Sequence, residues 1–138
     1  MAEAAAKLYT PSLLALSVEL AAFPHDPGQP LQGRAKSRTC GSEVLLSGRE
    51  ADGKLQSLGL QVTACAVGQA SAALFAEAAQ GQSREQISHI LDQLKSWLDD
   101  QTGSDFIPRL ELLEAARDYP ARHEAILLPW RAALDALA

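Results

Sequence analysis

This sequence of 138 residues has few of the residue types that carry chemistry. It contains 2 cysteines, 1 methionine, 3 histidines and only 5% aromatic residues. Lys and Arg number 12 against 17 Asp and Glu, which gives a formal net charge of −5. Binding to a phosphate backbone needs clustered cations, so this balance argues against a nucleic-acid partner. It suits a protein with partly basic partners.

Long hydrophobic runs are also missing. No stretch approaches the ~20 apolar residues that span a bilayer. The N-terminus, residues 1–7, lacks the charged start and apolar run of a secretory signal. We therefore expect a cytoplasmic protein without a membrane partner and with reduced thiols, although a disulfide between Cys40 and Cys65 stays open. The length and the 47% of hydrophobic residues predict a single domain over residues 1–138.

The order of sequence patterns predicts an α+β fold: an N-terminal helix, a three-stranded antiparallel meander, and a helical C-terminal half packed on one face of the sheet. Apolar spacing and turn residues indicate these elements. Helices are expected over 8–22, 69–80, 84–100, 106–118 and 123–138, with Ser83 in a capping box, Pro120 as an interruption and Pro129 as a kink. Strands are expected over about 34–39, 42–48 and 55–66, with Asp52-Gly53 as the hairpin turn.

Both cysteines have small neighbours, in the segment 39–42 (TCGS) and in the segment 64–68 (ACAVG). Positions symmetric about the Asp52-Gly53 turn are expected to pair, which sets Cys40 opposite Cys65. A helix is expected to begin just after Cys65, and free N–H groups at a helix N-terminus stabilise a thiolate. The sequence therefore predicts one thiol site at one end of the sheet. The alternative is two separate cysteines buried in the core.

Three segments carry a resemblance to a known family. Residues 65–75 (CAVGQASAALF) resemble the Gly-Cys-x-x-x-x-Ala-Ser segment of the iron–sulfur cluster assembly scaffolds, the IscU/SufU/NifU N-terminal family. Residues 39–42 resemble the family's Cys-Gly-Asp motif. Residues 122–131 (RHEAILLPWR) are similar to its Arg-x-x-Cys-x-x-x-x-Trp segment. The order of helix, meander and helical half matches too, so the resemblance covers essentially the whole chain.

In that family, three cysteines and the aspartate hold zinc or a nascent cluster, and the third cysteine is implicated in accepting sulfur from a cysteine desulfurase. The resemblance therefore implies that Cys40 and Cys65 bind iron, zinc or a labile Fe–S cluster. The third cysteine falls on Ala125, which has no donor atom, and the aspartate falls on Ser42, whose hydroxyl is a poor ligand unless deprotonated. The resemblance thus implies a divergent metal site.

Other donors could complete such a site, since tetrahedral zinc takes four, or three and a water. His123 and Glu124 flank Ala125, and adjacent helix positions point about 100° apart, so only one would face inward. A homodimer offers a second route, because two protomers with two thiolates each supply the four cysteines of a [2Fe–2S] cluster. Arg122 could support a thiolate electrostatically.

Three functions stay open. The first is a non-enzymatic scaffold of iron–sulfur cluster assembly, with a cysteine desulfurase and other assembly proteins as partners. The second is a metal-free binding module that docks a desulfurase or an assembly factor, which the residues at 42 and 125 favour. The third is a thiol enzyme with Cys65 as its nucleophile, which would need a nearby base or an electropositive pocket.

Overall fold

The computed structural model describes residues 8–38, 41–99 and 103–138, and within them a three-stranded antiparallel sheet packs against helices. This confirms the α+β prediction. The elements in chain order are α1 (Pro11–Glu19) with a 3₁₀ turn (Leu20–Ala22), β1 (Leu31–Lys36), β2 (Glu43–Ala51), β3 (Lys54–Thr63), α2 (Ala66–Ala79), α3 (Arg84–Leu98), a 3₁₀ segment (Leu110–Asp118) and α4 (Pro120–Ala136). The strands lie in the order β1-β2-β3.

Local hydrogen bonds explain where two helices begin. At α3 the hydroxyl of Ser83 accepts from the amide of Gln86 at 3.2 Å, and the side-chain oxygen of Gln86 accepts from the Ser83 amide at 2.8 Å. This is the capping box that the sequence predicts. At α1 the hydroxyl of Thr10 accepts from the amide of Leu13 at 3.2 Å, and Pro11 takes the first helical position.

Two predictions about the C-terminal half are wrong. The chain is interrupted after Asp118 as expected, but the last helix starts at Pro120 and not at His123, because a proline at the first helical position loses no helical hydrogen bond. The segment expected as a helix over 106–118 is a 3₁₀ segment that starts at Leu110. Arg109 before it has φ +65°, a left-handed conformation in which an α-helix cannot continue.

The hairpin between β2 and β3 follows the predicted register only near its turn. Asp52 and Gly53 have positive φ values of 54° and 75°, and Ala51 pairs with Lys54. Beyond a bulge, where β3 carries one extra residue opposite Gly48, the pairing shifts by one, so that Glu43 pairs with Thr63. The predicted symmetric register is therefore wrong by one residue at the end of the hairpin that leads to Cys65.

The core lies between the sheet and the helices. Helix α4 packs across β1 and β2, and α2 packs against both β3 and α4. Phe75 and Trp130 meet edge to face with ring centroids 4.8 Å apart, and Trp97 is fully buried as well. Both tryptophans are thus core residues. In the described part of the chain, no helix combines the length and the apolar character needed to cross a membrane.

Candidate metal site at the start of helix α2

Cys65 is the residue that introduces helix α2. It is the N-cap, with extended backbone angles of φ −67° and ψ 173°, and its carbonyl oxygen accepts from the amide of Gln69 at 3.0 Å. Its thiol is free and half-buried. The sequence expectation that Cys65 ends a strand is nearly right, since β3 stops two residues earlier at Thr63. Unpaired amides in the first turn make such a position favourable for negative charge.

A pocket of about 270 Å³ opens beside Cys65. We call it the cysteine pocket, and the residues that line it include Gly41, Ser42, Cys65, Ala121, Arg122 and Ala125. It joins the start of β2, the start of α2 and the first turns of α4. Three positions that the resemblance marks, 42, 65 and 125, therefore meet at one place. Thr39 and Cys40 lie outside the described residues, so the predicted pairing of the two thiols stays a prediction.

Ser42 and Gly41 form the wall of the pocket on the sheet side. Ser42 is 5% exposed, and its carbonyl oxygen accepts from the amide of Ser37 at 2.8 Å. Gly41 has φ +70°, and a Cβ built there would meet nothing within 4 Å. The need for glycine is therefore conformational, because a residue with a side chain rarely adopts this positive φ.

Ala125 forms the opposite wall and is 2% exposed. A Cβ built on Gly68, in the first turn of α2, would lie 3.4 Å from the Cβ of Ala125 and 2.7 Å from that of Ala64. The missing side chain at Gly68 therefore leaves room for Ala64, the residue before Cys65, while Ala125 on α4 lies at ordinary van der Waals distance from the same position. A side chain at position 125 consequently lies next to the turn that carries Cys65.

Arg122 brings a positive charge to the cysteine pocket from one turn before Ala125. Its Nη2 donates to the hydroxyl of Tyr9 at 3.2 Å, which helps to fix the guanidinium. Sequence reasoning missed Tyr9, and no local signal could have found it across 113 positions. It also missed Gln69, whose side-chain amide donates to the carbonyl of Ala64 at 3.0 Å and so ties down the residue before Cys65.

His123 and Glu124 do not line the cysteine pocket. They border a separate cleft on the adjoining side of α4. His123 Nε2 is 2.9 Å from the carbonyl oxygen of Arg117, and the Glu124 carboxylate accepts from the amide of Arg38 at 2.9 Å. Ligation by either side chain stays a prediction that requires it to leave these partners. Among residues 8–38, 41–99 and 103–138, no three His, Cys, Asp or Glu side chains cluster as a metal site would require.

Comparison with known proteins agrees with the motif resemblance. The chain is similar to the iron–sulfur cluster assembly scaffold protein IscU of Thermotoga maritima, with 26% identity over 106 residues, which is 74% of this chain and 72% of that protein. The chain is IscU/SufU/NifU-like. No family model matches the sequence.

Solved structures show the same fold. The N-terminal NifU-like protein of Brucella abortus superposes with a TM-score of 0.83 at 24% identity, over 97% of this chain and 94% of that one. The SUF-system scaffold protein SufU of Fervidobacterium islandicum gives a TM-score of 0.84 at 20% identity, over 96% and 98%. The IscU/SufU/NifU-like fold thus extends over nearly the whole chain, including the elements that build the cysteine pocket.

Proposed function

We propose that this chain is a non-enzymatic scaffold of iron–sulfur cluster assembly, which holds iron, zinc or a labile cluster at the cysteine pocket. One observation carries the proposal: Ser42, Cys65 and Ala125, which the motifs mark, border the same pocket at the start of α2. The similarity to IscU of Thermotoga maritima, named as a cluster assembly scaffold, supports it.

The proposed ligands are the thiolates of Cys40 and Cys65, with the hydroxyl of Ser42 as an auxiliary donor. Ala125 contributes no donor, so one chain offers fewer thiolates than the four that a [2Fe–2S] cluster takes. A pocket of about 270 Å³ has room for donors that come from outside the chain. In this proposal the missing ligands are water, a partner's thiolate or the thiolates of a second protomer in a homodimer.

The surroundings of the pocket fit a negatively charged occupant. The first-turn amides of α2 and the guanidinium of Arg122 place positive electrostatic potential beside Cys65. Both features stabilise thiolates and the anionic cluster that they hold. Small side chains at 121 and 125 keep the approach open on the α4 side.

Anaerobic reconstitution with iron and sulfide, and separate titration with zinc, test the proposal. The wild-type protein is expected to bind metal stoichiometrically, whereas Cys40→Ala/Cys65→Ala is expected to bind little. His123→Ala/Glu124→Ala serves as the comparison, because it removes the two other candidate donors. Equal and low binding by the wild type and the cysteine double variant contradicts the proposal. Light scattering before and after loading shows whether a dimer forms with the cluster.

A second candidate function is a metal-free module that docks a cysteine desulfurase or another assembly factor. Ala125 and Ser42, which replace a thiolate and a carboxylate, favour it. Pull-down of a desulfurase by the Cys40→Ala/Cys65→Ala variant, at wild-type strength, supports docking without metal. Loss of that interaction together with the metal supports the scaffold function instead.

A further inference from the structure

A second cavity, on the neighbouring side of α4, carries a different chemistry. This cleft of about 730 Å³ lies between α4 and the chain that leaves β1. We call it the basic cleft, and it is lined by Lys36, Arg38, Pro120, His123, Glu124, Leu127 and Arg131. The α4 residues 120, 124, 127 and 131 recur at helical spacing and form one face of the helix. Ala121, Arg122 and Ala125 belong to the adjoining face, so the two cavities share a helix.

The basic cleft has an excess of positive charge in a chain whose net charge is −5. Among the described residues that line it, Lys36, Arg38 and Arg131 are accompanied by one carboxylate, that of Glu124. Glu124 lies 3.9 Å from Arg131 Nη1 and also accepts the backbone amide of Arg38. Glu124 therefore holds the segment after β1 against α4, and at 3.9 Å it neutralises the charge of Arg131 only in part.

The other two cations have no ion-pair partner among the described residues. The residue opposite Lys36 on β2 is Glu43, whose carboxylate is ion-paired with Arg34. In the part of the chain that the structure describes, no ion pair involves the Lys36 or Arg38 side chains, and both are exposed. The volume of about 730 Å³ falls within the roughly 300–1,000 Å³ that is usual for small-molecule pockets.

The floor of the cleft is apolar. Leu127 is 8% exposed at its base and Pro120 lies at its edge. We infer that the basic cleft binds an acidic peptide segment of a partner protein, whose carboxylates meet Lys36, Arg38 and Arg131 while one apolar side chain contacts Leu127. Charge complementarity of this kind governs specificity and association rate.

The basic cleft lies next to the cysteine pocket. Arg38 precedes Thr39-Cys40 in the sequence, and Glu124 precedes Ala125 of the cysteine pocket. A partner held in the basic cleft is therefore within a few residues of the proposed metal site. The inference goes beyond the proposed function and does not depend on it, because none of the contacts involves a thiol.

Fluorescence anisotropy with a short labelled peptide of Glu and Asp around a single Leu tests the inference. Binding is expected for the wild-type chain, and Lys36→Glu/Arg38→Glu is expected to weaken it about tenfold at low salt. The matched control is Lys54→Glu/Arg84→Glu, which changes the charge equally. Lys54 pairs with Ala51 at the opposite end of β2, far from the cleft. This control is expected to bind like the wild type.

Several results would overturn the inference. They are no binding of the acidic peptide, an equal loss in the control variant, or equal binding of a peptide with Gln and Asn in place of the acids. Tighter binding of anionic vesicles or RNA with the same sensitivity to Lys36→Glu/Arg38→Glu would assign the cleft to another class of ligand. Cys40→Ala/Cys65→Ala is expected to keep full peptide affinity, so failure of the scaffold function is distinguishable from failure of this one.

Discussion

The hydroxyl of Ser71 donates a hydrogen bond of 2.7 Å to the carbonyl oxygen of Ile126 and joins α2 to α4 inside the core. Ser71 is 2% exposed and ends the Ala-Ser pair of the motif that begins at Cys65. The serine of this motif therefore holds together the two helices that carry Cys65 and Ala125. This hydrogen bond therefore helps to fix the relative position of the two helices that border the cysteine pocket.

Ser71→Ala is accordingly expected to lower the free energy of unfolding by about 1 kcal/mol, the usual contribution of one internal hydrogen bond. Urea unfolding followed by circular dichroism measures this. Ser17→Ala is the control, because the Ser17 hydroxyl makes an exposed hydrogen bond within its own helix, to the carbonyl of Leu14. Equal stability losses in both variants would mean that the link between α2 and α4 contributes nothing specific.

Gly68→Ala is expected to destabilise the fold by about 1–3 kcal/mol, because overpacking forces backbone shifts. Its new Cβ would lie 2.7 Å from the Cβ of Ala64, which is fixed to the main chain and cannot rotate away. At a solvent-exposed position inside a helix, Gly→Ala stabilises by up to about 1 kcal/mol. The sign of the change in unfolding free energy therefore shows whether the clash outweighs the helix propensity. Gly103→Ala is the control, since a Cβ there meets nothing within 4 Å. A neutral Gly68→Ala would contradict the close contact between Gly68 and Ala64 at the start of α2.

Ala125→Cys is expected to add a third thiolate to the proposed metal site. The position is 2% exposed and lines the same pocket as Cys65, so the new sulfur would lie beside the thiol of Cys65. Zinc affinity should rise at least about tenfold, which corresponds to about 1.4 kcal/mol. Competition with a chromogenic chelator measures it. Ala125→Ser has nearly the same shape without a thiolate, and a serine variant that binds zinc as tightly as the cysteine variant would contradict the ligand assignment.

The pair formed by Glu19 and Arg109 predicts a pH dependence of stability. Hydrogen bonds from the Arg109 guanidinium, at 2.9 and 3.0 Å, lower the pKa of the Glu19 carboxyl below its usual range. A lowered carboxyl pKa means that the pair stabilises the fold at neutral pH and that this contribution is lost as the pH falls through the folded-state value. Glu19→Gln should therefore reduce stability near neutral pH and match the wild type in acid.

Urea unfolding of both proteins across the acid range measures that difference. Arg109 is kept unchanged, because its Nη2 also donates to the Glu77 carboxylate at 2.8 Å and a substitution would break that second ion pair as well. Glu50→Gln provides the comparison, as an exposed carboxylate on β2. A wild-type to Glu19→Gln difference that stays constant with pH would show that the carboxylate charge is not the cause.

Local features of the fold were predictable because they depend on residues that are close together in the sequence. The Asp52-Gly53 turn and the Ser83–Gln86 capping box both depend on contacts within four positions. The bulge opposite Gly48 was not predictable, since the residue with positive φ there is Ser57 and nothing in its sequence favours that conformation. That one residue is why the expected register fails beyond it.

In the candidate site, too, the features that depend on local motifs were predictable, and those that join distant segments were not. Its location at Ser42, Cys65 and Ala125 came from short motifs in the right order, and the structure brings these three together. The contact of Arg122 with Tyr9 and the basic cleft join segments that lie far apart in the chain, so no spacing rule could indicate them. The pairing of the thiols depends on Cys40, which lies outside the described residues, and it stays a prediction.

The position of Cys65 as N-cap of α2 has a consequence for the stability of this chain. In the described structure its side chain makes no capping hydrogen bond, whereas Ser, Thr, Asp or Asn at that position would stabilise the helix by about 1 kcal/mol. Cys65→Ser is therefore expected to stabilise α2 and to remove the thiol at the same time. Helix stability and a thiol beside the cysteine pocket thus make opposite demands on this one position.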